Sequence, residues 1–89
     1  MSQNIDLRQP EGLKVLVMGL GLHGGGVASA RYFAERGSEV TVTDLRDEKQ
    51  LESSLRALEP YRIRAVLGRH EMEDVAGADL VVKNPGVPP

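Results

Sequence analysis

Residues 13–26, LKVLVMGLGLHGGG, restrict this chain more than any other stretch: an apolar run passes directly into five glycines within eight positions, 19 to 26. Leu13 to Met18 is nearly continuous apolar sequence bounded by Gly12 and Gly19, the pattern of a strand buried on both faces, as in a parallel sheet. From Gly24 the period changes. Val27, Ala30, Phe33 and Ala34 recur at helical spacing, and Gly37 after Arg36 supplies a stop. Gly19-Leu20-Gly21-Leu22-His23-Gly24 is a full G-x-G-x-x-G placed between strand and helix, the context that gives the pattern meaning. One glycine permits the turn, one lets a phosphate approach the backbone, and one lets helix and strand pack closely. The helix start then offers unpaired N–H groups and the positive end of its dipole to an anion.

The remaining chain continues the alternation. Glu39 to Thr43 (EVTVT) is β-branched and alternating, and it ends on Asp44. Leu51, Leu55 and Leu58 mark the apolar face of a second helix, closed by Pro60. Ile63 to Leu67 is a third strand ended by Gly68, and Glu71 to Ala76 has the length of a short helical turn. Leu80 to Val82, extended by a residue at each end, is a fourth strand running into Asn84-Pro85-Gly86. The order β-α-β-α-β-turn-β calls for an α/β fold: a Rossmann-like parallel sheet with flanking helices and right-handed crossovers, in one small domain. Residues 1–12 read as a flexible lead-in and 13–89 as the domain. The closing NPGVPP is a turn sequence leading onward, from which a longer parent chain is expected.

Composition narrows the function. Net charge is −2, acidic and basic residues are interspersed, and only Tyr32, Phe33 and Tyr61 are aromatic, so a nucleic-acid surface has no support. Cysteine is absent and only His23 and His70 are histidines, which leaves a transition-metal site with little support. The longest uninterrupted apolar stretch, Val15 to Met18, falls far short of a membrane span, and the polar start lacks a signal-peptide core. A cytoplasmic domain is expected.

The loops after strands one, two and four open on one edge of such a sheet, where open parallel sheets bind ligands. Asp44 stands where a dinucleotide fold puts the acid that holds a ribose, which favours NAD; as a favoured cap residue it also suits the start of the next helix, a job for which Asp47 competes. Arg46 suits a 2′-phosphate or a base. Pro85 fixes its own φ and Gly86 admits close backbone approach, so Asn84-Pro85-Gly86 forms a third wall. No G-x-x-x-x-G-K-[ST] loop for ATP is present, no lysine follows the glycines, and no nucleophile–base pair or carboxylate cluster for Mg²⁺ stands out.

KVLVMGLGLHGGGVASARYFAERGSEVTVTDLR together with LVVKNPGVPP resembles the N-terminal domain of the Mur ligases, from about Lys14 to Pro89. The likeness is strongest to the member that adds D-glutamate to UDP-N-acetylmuramoyl-L-alanine in peptidoglycan synthesis. It rests on the glycine loop, the Asp-x-Arg after strand two and the Asn-Pro-Gly-Val-Pro loop after strand four. The resemblance implies a Rossmann-like domain that holds the UDP part of the substrate and not NAD. Leu22, His23 and Gly24 would face the diphosphate, Asp44, Leu45 and Arg46 would surround the uracil, and Asn84, Pro85 and Gly86 would border the same pocket. It also implies central and C-terminal domains that use ATP and Mg²⁺ to activate a carboxylate as an acyl phosphate, so that no catalytic residue falls here and these residues alone are inactive. His23 departs from the Thr or Ser usual in the family's loop; an imidazole still donates to phosphate. The reading left open beside this one is an NAD(P)-binding domain of a sensor module or a dehydrogenase.

Overall fold

The computed structural model describes residues 10–21 and 25–84. Four strands, β1 (Lys14–Met18), β2 (Glu39–Asp44), β3 (Ile63–Leu67) and β4 (Leu80–Lys83), alternate with three helices, α1 (Gly25–Glu35), α2 (Glu52–Leu58) and α3 (Met72–Gly77). The sheet is parallel throughout, in the order β3-β2-β1-β4. The α/β, Rossmann-like arrangement expected from the alternation is the one observed.

Each element has a local cause. β1 is buried along Val15, Leu16 and Val17, because it is flanked by β2 and β4 and covered on both faces. Val15 and Val17 lie in register with Val40 and Val42, and all four join Leu20, Val27, Ala30, Phe33, Leu51 and Leu58 in one core against α1 and α2. Burying a side chain the size of Phe33 or Leu58 stabilises the fold by about 1.5–3 kcal/mol. Helix α1 stops at a Schellman cap: the Ser38 N–H donates to the Phe33 carbonyl at 3.0 Å and the Gly37 N–H to that of Ala34 at 3.2 Å. Gly37 takes φ +86°, the left-handed conformation that this cap demands. Residues 10–12, placed by sequence in the lead-in, are tied to this corner. Pro10 is buried, its carbonyl accepts from Ser38 Oγ at 2.7 Å, and the Gly12 N–H reaches the Gly37 carbonyl at 3.1 Å.

The second helix differs in detail from expectation. It ends at Leu58, two residues before Pro60, and its N-cap position is Leu51, with no side-chain cap bond. The turn leading into it is held by Asp47 and Gln50, whose side chains reciprocally accept each other's backbone N–H at 2.9 and 3.1 Å. Asp44 therefore does not cap α2, and Asp47 orders that turn.

Topology fixes where a ligand can sit. The chain steps from β1 to β2 to β3 in one direction with α1 and α2 on one face, then returns through α3 to place β4 on the far side of β1. A right-handed crossover run backwards must pass over the other face. Asp74 of α3 accordingly pairs with Arg64 at 2.9 Å, a β3 residue on the face opposite Ile63 and Ala65. The direction of winding reverses between β1 and β4, and the carboxyl ends of these strands are where open α/β sheets form their ligand crevice.

Candidate functional site

The floor of the crevice is built from backbone. The Gly19 N–H donates to the Thr43 carbonyl at 2.7 Å and the Asn84 N–H to the Met18 carbonyl at 2.9 Å, so both neighbours follow β1 one residue past its end. Leu20, inside the glycine turn, points down and is fully buried in the core, which anchors the turn from below. Gly26 sets the distance between turn and helix. A Cβ there would lie 2.1 Å from the Gly19 carbonyl oxygen and 2.5 Å from Leu20 Cα, both immovable backbone atoms. The Gly26 N–H instead donates to the Leu20 carbonyl at 2.9 Å. The packing glycine of this loop is thus Gly26, beyond the G-x-G-x-x-G itself.

Asn84 closes the β4 side. Its carboxamide stands 2.9 Å from where a Cβ of Gly21 would be and 3.2 Å from that of Gly25. Gly21 also holds φ +77°, so both shape and conformation reserve the position for glycine. The exits of β1 and β4 and the start of α1 are in contact through one side chain.

Asp44 closes the β2 side. It is 4% exposed, and every acceptor site of its carboxylate is taken by the chain itself. Oδ2 accepts from the Leu20 N–H at 2.9 Å and Arg46 Nη2 at 2.9 Å; Oδ1 accepts from the Arg46 N–H at 2.9 Å and Arg46 Nε at 3.0 Å. Burial by itself would push this carboxyl up. The Arg46 guanidinium, the Arg46 N–H and the Leu20 N–H outweigh burial and hold it down at about 2. Arg46, with a side chain 28% exposed, is gripped by its Nε–Nη2 edge, which leaves Nη1 outside the pair. Between them Leu45 is exposed and points away from the core.

Two contacts extend the rim. The Gly68 N–H is shared by the carbonyls of Asp44 at 2.8 Å and Arg46 at 3.1 Å, binding the exit of β3 to that of β2. Beneath it, the buried Thr43 hydroxyl lies 2.6 Å from His70 Nδ1. The sequence offered no signal for that pair, whose members are 27 positions apart. Of the residues named from sequence, Asp44, Leu45, Arg46 and Asn84 are described; Leu22, His23, Gly24, Pro85 and Gly86 lie outside the described residues. Among the described residues no group of His, Cys, Asp or Glu is placed to hold a metal ion, and no helix is long and apolar enough to cross a membrane.

Comparison with known proteins decides the family. Residues 13–89 match the family model of the Mur ligase MurD-like N-terminal domain. The chain belongs to that family. UDP-N-acetylmuramoylalanine–D-glutamate ligase of Roseiflexus sp. (strain RS-1) is 53% identical over 81 residues, 91% of this chain and 17% of that protein. The ligases of the same name from Borreliella burgdorferi (strain ZS7) and Treponema pallidum (strain Nichols) are 48% and 50% identical over 93% and 84% of the chain. The chain spans 19% and 14% of their lengths, so it corresponds to a small part of each.

Proposed function

We propose that the crevice between β1 and β4 docks the UDP part of UDP-N-acetylmuramoyl-L-alanine for a cytoplasmic, ATP-dependent ligase that adds D-glutamate to it. Leu22, His23 and Gly24 face the diphosphate, Asp44, Leu45 and Arg46 stand at the uracil, and Asn84, Pro85 and Gly86 border the same pocket. The observation that carries this reading is the meeting of the glycine turn and Asn84 at the reversal of strand order. The relatives' shared name supports the choice of nucleotide.

The NAD(P) reading loses its main support in the geometry. A ribose diol needs free carboxylate acceptors, and all those of Asp44 are engaged. A 2′-phosphate needs an unneutralised cation, and Arg46 is paired at 2.9 Å. A neutral pair suits the carbonyl edge of an uncharged base better than either. ATP and Mg²⁺ belong, on this proposal, to central and C-terminal domains, and these 89 residues alone release no ADP in response to D-glutamate.

Amide chemical-shift mapping of the labelled chain tests the reading, with UDP-N-acetylmuramoyl-L-alanine, UDP and NAD⁺ added separately. Shifts at Gly21 to Gly25, Asp44 to Arg46 and Asn84 with the uridine ligands, and none with NAD⁺, are expected. The reverse pattern would refute it.

A further inference from the structure

We infer that Asp44 is a positioning residue, whose carboxylate touches no ligand and instead couples the glycine turn to Arg46 so that both sides of the crevice are set together. The place of this coupling in nucleotide binding rests on the function proposed above; the coupling itself does not.

The argument is one of saturation. An ionised carboxylate offers about four acceptor directions, and here four N–H groups fill them at 2.9 to 3.0 Å. Two of these donors, the Arg46 N–H and Nε, converge on Oδ1, and a third, Nη2, reaches Oδ2. That three-point grip fixes both backbone and guanidinium of a residue whose side chain is otherwise partly exposed. The fourth donor, the Leu20 N–H, comes from the middle of the glycine turn, 24 residues earlier in the chain. Backbone pairing joins β1 to β2 as far as the Gly19 N–H and the Thr43 carbonyl, and beyond that point the Asp44 carboxylate links Leu20 to Arg46. The guanidinium is planar and pre-organised when held by one edge, which leaves Nη1 as its outward donor. A ligand oxygen therefore meets Arg46 in a direction chosen by Asp44, and a shift of Leu20 is passed to the Arg46 side chain through that carboxylate.

The test uses the ¹⁵N-labelled 89-residue chain with Asp44→Asn, Arg46→Gln and the double variant. Without ligand, the wild type is expected to show an Arg46 Nε–H signal that exchanges with solvent at least tenfold more slowly than in Asp44→Asn. Arg46→Gln, a change at a partly exposed side chain that leaves the core untouched, is expected to shift the amides of Leu20 and Gly21 while those of β3 stay in place. Unmoved Leu20 and Gly21 amides in Arg46→Gln would overturn the coupling, whether or not Asp44→Asn folds. With UDP, both single variants are expected to weaken binding, with the double variant no weaker than the worse single one. Multiplying fold-changes would mean that Asp44 contacts the ligand itself, and the positioning role would fall. A wild type blind to UDP would remove the nucleotide assignment, and the ligand-free signals would then decide the coupling alone.

Discussion

Gly26→Ala is the sharpest test of how this crevice is built. The added methyl would meet the Gly19 carbonyl oxygen at 2.1 Å and Leu20 Cα at 2.5 Å, whereas ordinary contact begins at 3.4 Å. Helix α1 and the end of β1 would have to part by about 1 Å, in a molecule whose interior packs as densely as an organic crystal. Overpacking of this kind costs about 1–3 kcal/mol. The Gly26 N–H to Leu20 carbonyl bond, at 2.9 Å, would lengthen and forfeit about another 1 kcal/mol. Against this, alanine is the better helix former by about 1 kcal/mol. The net is a loss of about 1–3 kcal/mol, or about 5–20 °C in Tm for a domain of this size. Urea denaturation followed by circular dichroism should show the midpoint falling by about 2 M with an unchanged slope. Gly77→Ala is the control, because its Cβ would meet nothing within 4 Å, and it should leave the midpoint in place or raise it slightly. A Gly26→Ala chain as stable as wild type would show that the strand–helix spacing is not set by this glycine.

Two further outcomes follow from the geometry. Asp44 has a folded-state pKa of about 2, below its unfolded value of about 3.9, so its contribution of about 2–3 kcal/mol is complete above pH ~4 and is lost as pH falls through 2. Urea midpoints at pH 5, 3 and 2 should fall along this curve in the wild type and lose that component in Asp44→Asn; equal pH dependence in both would contradict the pairing. Gly37→Ala forces a Cβ into φ +86° at the end of α1 and should cost about 1–2 kcal/mol by the same assay, and an unchanged midpoint would rule out the cap as a source of stability.

Much of the fold was legible because its causes are local. The change of apolar period at the glycines announced β1 and α1, and Gly37 announced the end of that helix. The bounds of β3 follow directly from IRAVL between a turn and Gly68. The site was less legible, because its key relations are long-range. Asp44 had a cap, a ribose acid and a base contact as rival readings, and only the approach of Leu20 and Arg46 shows that its acceptors are spent. Nor does a run of five glycines reveal which member is sterically required. That depends on where the Gly19 carbonyl points, which is a property of the folded turn.

The pairing of β1 with β4 also has a kinetic side. Val15 and Leu80 are 65 residues apart, against roughly 25 for the partners on β1 and β2. Closing the longer loop costs about 0.8 kcal/mol more in chain entropy before any contact repays it. The β1–β2–β3 unit with α1 and α2 is therefore expected to assemble first, leaving the apolar edge of β1 exposed until the last strand arrives. Asn84 travels with that strand. The crevice is thus finished only at the final step of folding, at the moment the open edge of β1 is covered.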